Sequence, residues 1–84
     1  MLPIQCKLAR TALGWGVRDV AARTGMSPAT ITRFERGDQL RDRTVATLRH
    51  LFESNGLEFI DEADGKGPGL RFRQSLPTTA KNED

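Results

Sequence analysis

Glycine divides the first 56 residues into short segments, and this punctuation limits that part of the chain to a set of short packed helices. Pro3 suits a first helical turn, and Ile4, Leu8, Ala12 and Leu13 recur at helical spacing up to the Gly14-Trp15-Gly16 break. Residues 17–24 form a second helix-compatible run. Asp19 sits in its first turn, where a carboxylate offsets the positive end of the helix dipole, and Gly25 stops it. Ser27 is a suitable N-cap and Pro28 suits the next position, so Ile31 and Phe34 mark a third helix over 28–36, ended by Arg36-Gly37. Asp42 is expected to cap a fourth helix with Val45, Leu48, Leu51 and Phe52 on one face and Asn55-Gly56 at its end.

Beyond Gly56 the period changes from helical to alternating. Leu57-Glu58-Phe59-Ile60 and Leu70-Arg71-Phe72-Arg73 flank an acidic, glycine-rich connection, Asp61–Gly69, and predict a long-looped β-hairpin. A lone two-stranded hairpin is marginal in water, so it must lie on the helices or pair with strands of a second copy. The favoured reading is a second copy, joined through Leu57, Phe59, Ile60, Leu70 and Phe72; truncation after Gly56 then leaves a helical monomer. Residues 74–84 lack periodic apolar content and read as a disordered tail. The expected architecture is mainly α: a four-to-five-helix bundle over residues 1–56, a two-stranded hairpin over 57–73, then the tail.

Eighty-four residues leave room for one small domain with a thin core, to which a partner chain would add burial. A single cysteine, Cys6, excludes an internal disulfide, and with one histidine, His50, the usual structural zinc sites cannot be assembled. No cofactor is expected. Apolar stretches fall far short of the ~18 residues that cross a bilayer, and the amino terminus lacks a secretory pattern. A reducing, cytoplasmic setting is the expectation, with no membrane partner.

Charge is more informative by segment than in total. The formal net charge is +2, but residues 1–49 hold nine cations against four acids, and eight of the nine are arginine. Arginine's planar guanidinium suits phosphate and base-edge recognition better than a lysine point charge. An anionic polymer is therefore a candidate partner, with a set of solvated helix faces as the plain alternative. Catalysis finds no support: there is no nucleophile–base arrangement, the carboxylates are scattered, and Gly65-Lys66-Gly67-Pro68-Gly69 lacks the Gly-Lys-Ser/Thr ending of a phosphate loop. Trp15 reads as a core plug at the exit of the first helix.

The second and third segments have the pattern of two helices joined by a tight turn. Ala21 lets the helices approach, Gly25 can adopt the positive φ of the turn, and Val20, Met26, Ile31 and Phe34 fill the shared core. A generic helical hairpin would share these features. The combination Val20-Ala21, Gly25-Met26-Ser27, Thr30-Ile31 and Phe34-Glu35-Arg36-Gly37 resembles the phage-repressor-type, or XRE, helix-turn-helix family of bacterial regulators over about residues 4–55. The Leu-Glu-Phe-Ile and Gly-Pro-Gly-Leu-Arg-Phe segments extend that resemblance through residue 73.

The resemblance implies a repressor-like fold and a homodimer on an inverted repeat in double-stranded DNA, with the third helix in the major groove. Base contacts then fall to Ser27, Pro28, Ala29, Thr30, Thr32 and Arg33, with Arg33 suited to guanine O6 and N7. Ser27 can alternatively be occupied as a cap. Phosphate contacts fall to Val17, Arg18, Arg36, Arg41 and Arg43; relatives often carry glutamine where Val17 stands, which leaves only the backbone amide there. Arg10 and Glu35 match a structural ion pair of the family. A second reading keeps the scaffold but makes it a protein-binding module, such as an antitoxin or antiactivator.

Overall fold

In the computed structural model, which describes residues 1–76, four helices are followed by an antiparallel hairpin. The elements are α1 Pro3–Ala12, α2 Val17–Thr24, α3 Pro28–Glu35, α4 Asp42–Ser54, β1 Leu57–Ile60 and β2 Gly69–Phe72. The helix bounds follow the glycine breaks closely. Of the expected tail, residues 74–76 are exposed and belong to no helix or strand, and the rest, beyond Leu76, lies outside the described residues.

The core is drawn from every helix and from β1: Cys6 and Ala9 from α1, Val20 and Ala21 from α2, Ile31 and Phe34 from α3, Leu48 and Phe52 from α4, and Leu57 and Phe59 from β1. Trp15 and Met26 pack at its margin. Phe52 stands at the centre, 6.3 Å from the Trp15 ring and 6.3 Å, edge-on, from Phe59. Burying this many aliphatic and aromatic groups is the main stabilising contribution, at roughly 1.5–3 kcal/mol for each large side chain.

Three expectations need correction. The aliphatic stripe that marks α1 in the sequence meets the core only at its carboxy-terminal end, through Ala12 and Leu13: Ile4 and Leu8 are exposed, and the buried line is Gln5, Cys6 and Ala9. Small residues there let the neighbouring elements approach. Gln5 tolerates burial because its carboxamide is satisfied: Oε1 accepts from Leu2 N at 2.9 Å, and Nε2 donates to Ile60 O at 3.2 Å and Gly69 O at 2.9 Å.

Secondly, Asp42 does not cap α4. Arg41 holds the extended N-cap conformation, Asp42 opens the helix, and no side chain makes the cap hydrogen bond. Asp42 still places a negative charge in the first turn.

Thirdly, the hairpin lies on its own helices. Leu57 and Phe59 are buried in the protomer's core and Leu70 and Phe72 pack against it, so of the five side chains assigned to a joint between copies only Ile60 is exposed. The register Leu57↔Phe72, Glu58↔Arg71, Phe59↔Leu70 turns alternate residues inward, and β1 continues from α4 across Gly56, whose φ is +95°. Arg73 fastens this corner by donating to Glu53 O and Leu57 O at 2.9 and 3.0 Å.

The connection between the strands is also tighter than expected. Ala63 and Lys66 exchange backbone hydrogen bonds of 3.1 and 2.9 Å around Asp64 and Gly65, both at positive φ. An Asp-Gly pair suits this two-residue turn.

Candidate nucleic-acid interface

The joint between α2 and α3 is held by local bonds that the sequence dictates. Gly25 caps α2 at φ +78°, where a Cβ would be strained, and its N–H donates to Ala21 O at 2.9 Å. Thr24 Oγ1 donates to Val20 O at 2.8 Å and accepts from Met26 N at 3.3 Å. Ser27 then caps α3, its Oγ accepting from Thr30 N at 3.2 Å, and Pro28 takes the first helical position. These bonds leave little freedom in the direction α3 takes.

One side of α3 is buried through Ile31 and Phe34. The opposite side carries Ala29, Arg33 and Arg36 at offsets of four and seven residues, and all three are exposed. Pro28 is exposed at the amino end, and Thr32 is half-buried beside the stripe. Ser27 and Thr30 are differently placed: their hydroxyls lie 2.9 Å apart and bond each other, with Ser27 already accepting from the backbone. Base reading by either hydroxyl competes with that cap.

The cations assigned to phosphate surround this stripe in the chain. Arg18 is exposed in the first turn of α2, Arg36 at the end of α3, and Arg41 and Arg43 at the start of α4. Val17 is half-buried and packs on the core, so only its backbone amide is available. Asp19 Oδ2 accepts from Gly16 N at 2.8 Å, so the amino end of α2 already faces a carboxylate and Arg18 is the cation there. The loop after α3 closes as Gly37, at φ +106°, and Asp38 donate back to Phe34 O and Arg33 O at 2.9 and 3.0 Å.

The electrostatic contrast is between paired and unpaired cations. Arg10 Nε and Nη2 meet Glu35 at 2.7 and 2.9 Å, a bidentate pair joining α1 to α3. Arg49 pairs with Glu53 and Arg71 with Glu58, while Arg23 lies 4.1 Å from the centre of the Trp15 ring. Among the described residues, Arg18, Arg33, Arg36, Arg41 and Arg43 are exposed and join no ion pair. Arg18, Arg41 and Arg43 stand at helix amino ends, where a cation opposes the dipole at about 0.3–1 kcal/mol each. An anion at those ends would meet the cation, the helix dipole and the free N–H groups together.

Cys6 lies deep in the scaffold. Its Sγ is 3.5 Å from Glu35 Oε2, and burial, with the Glu35 charge adding, pushes the thiol up to about 12. Hydrogen bonding to Glu35 raises Arg10 above its ordinary value. Among the described residues no cluster of histidine, cysteine, aspartate and glutamate is arranged to hold a metal, and no helix is long and apolar enough to cross a membrane.

Sequence reasoning did not find the Gln5 clasp or the Arg23–Trp15 stack, because both depend on which turn of a helix meets which loop. It also passed over Gln39, an exposed amide in the loop between α3 and α4. Its signal was its position among the unpaired arginines. No curated protein matches this chain. A family model for the helix-turn-helix domain matches residues 5–59, from α1 through Phe59 of β1. By that match, and by the two-helix joint built around Gly25, the chain belongs to the helix-turn-helix domain family.

Proposed function

We propose that this protein is a sequence-specific regulator of the phage-repressor type that binds double-stranded DNA as a homodimer, with α3 in the major groove. The observation that carries this reading is that, among the described residues, Arg18, Arg33, Arg36, Arg41 and Arg43 are exposed and neither join an ion pair nor, unlike Arg23, stack on an aromatic ring; they are spread over α2, α3, the following loop and the start of α4. A solvated surface built for stability would keep cations such as Arg18, Arg41 and Arg43 away from helix amino ends.

In this arrangement Arg33 reads a base edge, most naturally guanine, and Ala29 and Pro28 make apolar contact with thymine methyl groups. Thr32 borders them, and Ser27 and Thr30 chiefly hold the helix in place. Arg18, Arg36, Arg41 and Arg43 position the protein on the phosphates, together with the Val17 amide. Binding at a promoter would repress by occupancy. Two copies related by a two-fold axis place their α3 helices about 34–36 Å apart, one turn of DNA.

Fluorescence anisotropy with the DNA upstream of the protein's own gene and a shuffled control tests the reading. A ratio of affinities of about 10³ or more is the expected result. Arg33→Ala should lower the specific affinity by about 1–3 kcal/mol and leave shuffled-DNA binding nearly unchanged. Four phosphate contacts give a slope of log affinity against log salt of about −3.6 per subunit. Equal weak binding to both fragments, or a flat salt response, would overturn it.

A further inference from the structure

Four of the large apolar side chains that remain exposed are grouped around Gln5. Leu2, Ile4, Leu8 and Ile60 are 45, 53, 43 and 39% exposed. Leu2 donates its N–H to the Gln5 carboxamide, Ile4 adjoins Gln5 in the chain with Leu8 one turn further on, and Ile60 accepts from Gln5 Nε2. Gln5 therefore ties the exposed stripe of α1 to the far end of the hairpin. This grouping has no role in the DNA surface, whose arginines lie on α2, α3 and the start of α4.

We infer that this α1–hairpin face is the surface through which a second copy of the chain docks. The inference rests on the dimeric reading above and names the contact that reading leaves open. The four side chains together expose on the order of 300 Å² of apolar surface, within the range of the largest patches on monomeric proteins, which are often functional. Two such patches meeting across a two-fold axis cover about 600 Å², and an interface slightly more than half apolar then totals roughly 1,050 Å², just above the ~1,000 Å² that a biological interface should clear.

Charge selects a second copy over an unrelated partner. Lys7 is exposed on α1; on the hairpin connection Asp61, Glu62 and Asp64 are exposed and outweigh the exposed Lys66, and among the described residues none of the five joins an ion pair. A face that carries a cation on one element and acids on the other is complementary to itself under two-fold rotation, since each copy then sets its α1 against the other's connection. Leu57 and Phe59 take no part, because the protomer's own core holds them.

Sedimentation velocity on the full chain, from micromolar to high-micromolar concentrations, tests the inference without DNA. The wild type is expected to be a dimer and Ile4→Glu/Leu8→Glu a monomer with an unchanged helical circular dichroism spectrum. Both positions are exposed, so the fold should tolerate the change; if it does not, Ile60→Glu on the hairpin carries the same test. A wild-type monomer, or a folded variant that remains dimeric, overturns the inference. Failure of the DNA reading shows separately, as equal affinity of the wild type for upstream and shuffled DNA.

Discussion

Removing Arg10 isolates the charge of Glu35 inside the molecule. The two side chains are only 18 and 8% exposed and meet through a two-point contact of 2.7 and 2.9 Å. In Arg10→Ala the carboxylate keeps only the Cys6 thiol, at 3.5 Å, as a side-chain donor. Breaking one half of a buried pair costs about 3–5 kcal/mol, and the residual exposure of Arg10 places this case near the lower end. For a domain of this size 3 kcal/mol lowers Tm by roughly 12–24 °C. Thermal unfolding followed by circular dichroism measures it. Replacing both partners by apolar residues, Arg10→Met with Glu35→Leu, should recover most of the loss, because no charge is then left buried. If Arg10→Ala keeps the wild-type Tm and loses DNA binding, the pair is not structural and Arg10 joins the phosphate contacts.

Other outcomes follow from the same geometry. Truncation after Gly56 removes Leu57 and Phe59 from the core, and large-to-small changes at such sites cost about 2–5 kcal/mol each against a total stability of roughly 5–10 kcal/mol. Residues 1–56 alone should therefore give no cooperative unfolding transition, in place of the helical monomer expected from sequence; a sharp transition would show that the hairpin is dispensable. Gly25→Ala, at φ +78°, meets no neighbouring atoms but strains the backbone, with an expected loss of about 1–2 kcal/mol in urea titration. Cys6 should be unreactive toward a disulfide reagent in the folded protein. Since folding raises its pKa from 9.0 to about 12, its protonated form stabilises the native state fully below pH 9. That contribution falls by about 1.4 kcal/mol per pH unit above 9, a decline that Cys6→Ala should remove.

The helices were legible because their stops are chemical: Gly25, Gly37 and Asn55-Gly56 mark boundaries whatever surrounds them. The phase of α1 was not legible, since Ile4 and Leu8 carry a stronger apolar signal than Cys6 and Ala9. Only the approach of the neighbouring elements, and the Gln5 bonds to the ends of both strands, decides which side turns inward. The hairpin's direction failed for a related reason. Alternation in Leu57–Ile60 shows that one face is buried but not against what, and α4 supplies the surface that a second copy was expected to supply. In α3 the exposed line Ala29, Arg33 and Arg36 follows from spacing alone, whereas the engagement of Thr30 with Ser27 needed the cap geometry.

The absence of ion pairs at Arg18, Arg33, Arg36, Arg41 and Arg43 among the described residues also bears on how such a chain can diverge. Substitutions at exposed positions without partners usually change stability by less than about 0.5 kcal/mol. Selection can therefore exchange these side chains singly, in any order, without passing through an unfolded intermediate sequence. Arg10, Glu35 and Gln5 have no such latitude, because each satisfies a buried group on another element. Under the DNA-reading role proposed above, descendants of one ancestor could thus come to prefer different DNA sites while keeping the same interior.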